Sequence, residues 1–133
     1  MKRLLILLML VSQPAWAEWV ELGRAGSGPD MAVTVYFDPE TLRKTHNGRR
    51  EWAMHSFDQR QTRSWGTFQS VKSLNEFDCG GERTRSLQLV WYSGPMGEGR
   101  VVSSDNSPDE WIVGSPGSIA EAQLKAVCRV PLK

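Results

Sequence analysis

Histidine and cysteine are scarce in this chain, two of each in 133 residues, and neither falls in a pattern that a reactive site would need. No Cys-x-x-Cys or His-x-x-x-His spacing is present, so the common zinc and redox motifs are excluded. Gly-x-Ser-x-Gly and Ser-x-x-Lys are missing as well, which removes the usual serine-nucleophile motifs. Charge of one sign is also lacking: 16 Lys plus Arg stand against 15 Asp plus Glu. Nucleic-acid binding rests on many phosphate contacts, and this balance supplies no field for it. Beyond Val11 no apolar run approaches the roughly 20 residues of a membrane-crossing helix. The sequence therefore nominates no catalytic residue, no metal ligand and no cofactor. Asp105-Asn106-Ser107-Pro108-Asp109-Glu110 has the acidity of a calcium loop, but it lacks the central glycine and contains a proline, so it reads as a solvated turn.

What the chain does have begins with an export signal. Lys2 and Arg3 precede an apolar run from Leu4 to Val11, Pro14 breaks it, and Ala15-Trp16-Ala17 offers small residues at a peptidase site. Cleavage is expected after Ala17, and eight apolar residues are too few to anchor the chain. The first cysteine after that run is Cys79, so no lipid anchor is expected at the mature N-terminus. Removing 17 residues leaves 116, enough for one domain at 18–133 and too few for two. The predicted location is periplasmic or secreted. In an exported chain, Cys79 and Cys128 are expected to form one disulfide.

Periodicity predicts an α+β domain: one antiparallel β-sheet of about six strands, with a C-terminal α-helix packed on one face. Strands are expected over 18–23, 31–38, 50–57, 65–79, 86–92 and 100–104. Asp38 is placed to cap a short helical turn running from Pro39 towards Lys44. The polar run 58–64 reads as a loop. In 65–79, Phe68, Val71, Leu74 and Phe77 lie three apart, which also suits a helix; the Ser, Thr, Asn and β-branched content selects a strand with a bulge. In 86–92 Leu87, Leu89 and Trp91 alternate with Ser86, Gln88, Val90 and Tyr92. Gly80-Gly81 predicts a hairpin before it, and Ser93 to Gly99 a loop after it. Ser118 and Glu121 have capping-box spacing, and Ala120, Leu124, Val127 and Cys128 form the buried stripe of the helix they open. Glu121, Gln123 and Lys125 are assigned outward.

Two features suit binding. Arg43, Lys44, His46, Arg49 and Arg50 cluster at one turn and could meet an acidic protein or a sulfated glycan, or could simply solvate that turn. Five tryptophans follow Ala17, namely Trp19, Trp52, Trp65, Trp91 and Trp111. Most are assigned to the core, with Trp65, inside a polar stretch, the candidate for exposure. His46 belongs to a turn and His55 to a strand beside aromatic residues.

Tyr36-Phe37-Asp38, Trp52, Phe77-Asp78-Cys79, Arg83, Arg85, Tyr92-Ser93, Gly99, Val101-Val102, Trp111, Pro116-Gly117-Ser118 and Val127-Cys128 together resemble the surface-adhesin protein E family, over about 19–129. The resemblance implies a small exported Gram-negative protein and an antiparallel sheet with an attached C-terminal helix. The family's founding member is an outer-membrane adhesin for host matrix and plasma proteins, and this chain departs from it in lacking a lipid-attachment cysteine. The expected function is a non-enzymatic envelope module that binds a protein or glycan partner; the alternative is a periplasmic accessory or enzyme-modulating protein with no adhesive role. Convergence of His55 with carboxylates in a cleft would instead favour an enzyme.

Overall fold

A computed structural model describes residues 18–132; the predicted signal segment lies outside the described residues. Seven strands form one antiparallel sheet: β1 (Val20–Ala25), β2 (Val33–Phe37), β3 (Arg43–Lys44), β4 (Arg49–Arg63), β5 (Gly66–Asp78), β6 (Arg83–Tyr92) and β7 (Val101–Asp105). Their order is β1-β2-β4-β5-β6-β7, with the two-residue β3 paired to the start of β4. The helix α1 (Ile119–Arg129) follows the last strand, so the fold is α+β as the periodicity implied.

β4 and β5 are the long central hairpin, and they explain the largest departure from expectation. The polar run 58–64 is not a loop. β4 continues through it to Arg63, with Gln61, Thr62 and Arg63 opposite Phe68, Thr67 and Gly66. Four residues between Ser56 and Gln61 face a single residue of β5, a bulge that bends the hairpin. Gln61 fastens the bend by donating from Nε2 to the carbonyls of Asp30 and Gln59, at 2.8 and 3.0 Å. Backbone pairing holds this segment without an apolar alternation, so no periodic signal marks it. The expected bulge within 65–79 lies instead in the neighbouring strands. In β6 Leu87 is the extra residue, since Leu74 faces Gln88 while Asn75 faces Ser86. Ser86 consequently shares a face with Leu89 and Trp91, against the simple alternation. After Asp38, which caps a 3-10 turn by accepting from the Glu40 amide, the chain returns to extended form at Arg43 rather than remaining helical to Lys44.

The two faces are covered differently. On one, the loop after β6 folds back over β4 and β5. Ser70 Oγ donates to the Gly94 carbonyl at 2.6 Å and accepts from the Gly97 amide at 2.8 Å, and Ser56 Oγ accepts from the Met96 amide at 3.1 Å. Gly97 has φ of +73°, and a Cβ there would lie 2.9 Å from the buried Met54 Cε and 2.6 Å from Lys72 Cε. Only glycine meets both demands without displacing a neighbour. The other face carries Val33, Val35, Ala53 and Phe77 and receives α1.

Ser118 caps α1 by accepting from the Glu121 amide at 3.2 Å. Glu121 does not complete a reciprocal box with Ser118; its carboxylate takes Lys125 Nζ at 2.8 Å, and that contact holds it below the usual carboxylate range. The buried positions of the helix are Gln123 and Val127, so Gln123 points inward, contrary to the assignment above. Cys128 is joined to Cys79 at a Cα separation of 5.8 Å, stapling the helix to the turn between β5 and β6. The closed loop of about 50 residues corresponds to about 4 kcal/mol of chain-entropy stabilisation.

Candidate aromatic cleft

α1 covers only one end of its face. Beyond it, β4, β5 and β6 are left as the floor of a cleft of about 580 Å³. At the far end the hairpin tip raises Trp65, which is 48% exposed, over the buried Phe68. The two rings stack at 5.4 Å with planes 6° apart, and Trp91 meets Trp65 edge-on at 5.3 Å. Phe57 closes the corner against Phe68 at 5.8 Å. About half of the Trp65 surface stays exposed at the mouth of the cleft.

The inner end, under the helix, is polar. Asn75 donates to Ser73 Oγ at 3.1 Å and accepts from Ser86 Oγ at 3.1 Å, so those three groups satisfy each other. Gln123 descends from α1 to the same cleft, 7% exposed, and its Nε2 has no hydrogen-bond partner among the described residues. A buried amide without a partner costs about 1–3 kcal/mol. On β4, Glu51 is 1% exposed with an unpaired Oε1, and burial, with Asp38 adding to it, pushes its pKa up to about 7. His55 also lines the cleft, and burial holds its imidazole below the ordinary value, favouring the neutral form at neutral pH.

Two arginines line the cleft, and only one is neutralised. Arg85 binds Glu76 Oε1 through Nη2 at 2.8 Å. It also lies 4.5 Å from the ring centre of Trp111, with Arg83 at 4.6 Å from the same ring and paired to Asp78. Asp78 is held below its usual pKa by the Gly81 amide and by Arg83. This cluster pins the segment that bridges Ile112 to Thr84 along the rim, through reciprocal backbone bonds of 2.8 and 2.9 Å. Arg63, at the tip, donates only to the neighbouring Thr62 carbonyl and lies 5.7 Å from the Phe68 ring. No Asp or Glu is among the residues lining the cleft. His55 therefore does not converge with carboxylates there. Among the described residues no group of three or more His, Cys, Asp or Glu is placed to hold a metal ion.

The basic cluster read from the sequence becomes one small hairpin, Arg43 opposite Arg50 and Lys44 opposite Arg49. Its members do not all face a partner. Arg49 donates to the carbonyls of Val127 and Val130, where a cation satisfies the last turn of α1, so its role is to cap the helix. Arg43 bonds to the Glu40 and Leu42 carbonyls at 2.9 and 2.8 Å while remaining exposed, and Lys44 and Arg50 are also exposed. None of the five tryptophans is fully buried, against the core assignment of most; the other four are half-buried and Trp65 is exposed as expected. The cleft itself was not read from the sequence. The one signal for it was Trp65, an aromatic ring in a polar stretch.

No helix of the described residues is long and apolar enough to cross a membrane. Among curated proteins none matches the chain. Solved structures of Haemophilus influenzae protein E do match in fold. A selenomethionine form aligns with a TM-score of 0.58 at 13% identity, covering 82% of this chain and 88% of that one. A second crystal form gives 0.57 at 13% identity, with 71% and 79% covered. The family model described as surface-adhesin protein E matches residues 19–129, and with sheet, helix and disulfide in place the chain belongs to that family.

Proposed function

We propose that the chain is an exported, non-enzymatic binding module of the cell envelope, and that the aromatic cleft is where it takes its partner. The observation that carries this reading is the pairing of a solvent-facing Trp65 with a buried, unpartnered Gln123 in one cavity. Apolar walls with a few convergent polar groups are the usual make-up of a ligand site, and about 580 Å³ falls in the size range of such sites. Family membership supports an adhesin-like role, and the Cys79–Cys128 bridge suits an oxidising compartment. In this reading residues 1–17 are removed after Ala17, the mature domain is periplasmic or secreted, and the exposed Arg43, Lys44 and Arg50 form a secondary acidic-partner surface. The second reading is a periplasmic accessory or enzyme-modulating protein with no adhesive role. Surface labelling of intact producing cells, followed by binding of the mature protein to immobilised matrix proteins and glycans, tests both. Surface exposure with Trp65-dependent binding is the expected result. A pool confined to the periplasm with no binding to either class would overturn the adhesive reading.

A further inference from the structure

Resting on that cleft reading, we infer that the ligand is a short acidic oligosaccharide, seated with a sugar ring against Trp65 and its hydroxyls on the polar inner end. Three observations select this class. First, the inner floor of the cleft is interior sheet: β4 is paired to β2 and β5 over Ala53–Ser56, β5 to β4 and β6 over Ser70–Phe77, and β6 to β7 and to the Ile112 segment. An extended peptide adding to a sheet draws its affinity from free backbone edges, and that inner floor offers none. What it offers is side-chain hydrogen-bonding capacity: the Gln123 Nε2 donor, without a partner, and the hydroxyls of Ser73, Thr84 and Ser86, each of which makes one hydrogen bond within the protein and keeps a donor or acceptor position besides. Sugar hydroxyls likewise donate and accept, so the two sets match.

Second, Trp65 is held by its stack on Phe68 and its edge contact with Trp91, while 48% of it remains exposed. A rigid indole face at a cleft mouth is an anchor for the apolar C–H face of a ring, at low entropic cost. Third, the charge balance has one sign. Arg85 is neutralised by Glu76, Arg63 is paired with no carboxylate among the described residues, and no acidic residue lines the wall. One uronate or sulfate group on the ligand would meet Arg63 at the tip.

The test uses the disulfide-intact mature protein and its Trp fluorescence, titrated with a hyaluronan tetrasaccharide, a heparin-derived tetrasaccharide, neutral chitotetraose and a peptide of alternating Glu and Phe. At least one acidic tetrasaccharide should bind about tenfold or more tightly than chitotetraose. Trp65→Ala should abolish binding, read by calorimetry since the reporter is lost, and Arg63→Gln should erase the preference for the acidic sugar while leaving weak neutral binding. Circular dichroism verifies that both variants remain folded; Gln123→Ala is the independent variant at the opposite end and should weaken every sugar. Binding of the peptide alone, with loss in Trp65→Ala, overturns the sugar assignment and leaves the cleft reading standing. Acidic-sugar binding that survives Trp65→Ala but is lost in Lys44→Glu/Arg50→Glu places the site on the basic hairpin and overturns both. Failure of all four probes overturns the acidic-oligosaccharide inference.

Discussion

The two faces of the central sheet are closed by opposite means, and only one of them is finished. The loop-covered face uses backbone amides of Met96 and Gly97 to satisfy Ser56 and Ser70, and leaves Met54 fully buried. The helix-covered face is held by a covalent staple and by Arg49 on the helix C-terminus, yet it contains both unpaired buried side-chain atoms found among the described residues, Glu51 Oε1 and Gln123 Nε2. Unsatisfied polar groups work against stability. Their confinement to one face separates a surface that is only structural from one with capacity left for a ligand. Among the described residues seven apolar and ten polar or charged side chains are buried, so partner-finding decides this fold as much as apolar burial does.

The sharpest way to break the comparison is to cut the staple. Cys128→Ser should lower stability by up to about 4 kcal/mol. Hydrogen exchange should then speed up in α1 while the amides of Met96 and Gly97 stay protected; equal loss on both faces would mean the two are not independent. Next comes pH. Glu51 has a folded pKa of about 7 against an ordinary 4.5, so the native state binds the proton more tightly than the unfolded chain. Its stabilising share is complete below about pH 4.5 and is lost as pH rises through about 7, a change on the order of 3 kcal/mol. Denaturant midpoints at pH 5 and pH 8 should show this fall, and Glu51→Gln should flatten it and be the more stable protein at pH 8. A mutant with the wild-type slope would place the titration elsewhere.

On the loop-covered face Gly97→Ala should cost about 1–3 kcal/mol through its positive φ and the contacts with Met54 and Lys72. Calorimetry of that variant should show a lower melting temperature with oligosaccharide binding unchanged. Last is Trp65→Ala, at about 1–3 kcal/mol, the scale of the two aromatic pairs it makes. Thermal melts that drop much further would make Trp65 a core residue and remove the argument for an open cleft.

Much of the architecture was legible because burial imposes a period. Val33, Val35, Met54 and Phe77 lie in predicted strands, and the cysteine pair and Ser118 cap are where spacing put them. What misled was local. The outer half of β4 is polar on both faces, so a paired strand there leaves no alternation to read. The bulge at Leu87 shifts Ser86 to the face of Leu89, which strict alternation forbids. Arg49 was grouped with its charged neighbours because charge is visible in a sequence, whereas the helix carbonyls it caps, 78 and 81 residues away, are not.

By itself the sequence determined the class of fold, the pairing of its cysteines and, through the residues it resembles, its family, since these depend on periodicity and composition along the chain. The cleft and the inward turn of Gln123 were decided only when α1 came down on part of the sheet, and the proton affinity of Glu51 only when folding buried it near Asp38. Desolvation and unmet hydrogen bonds belong to the space between elements, and that space exists only in three dimensions.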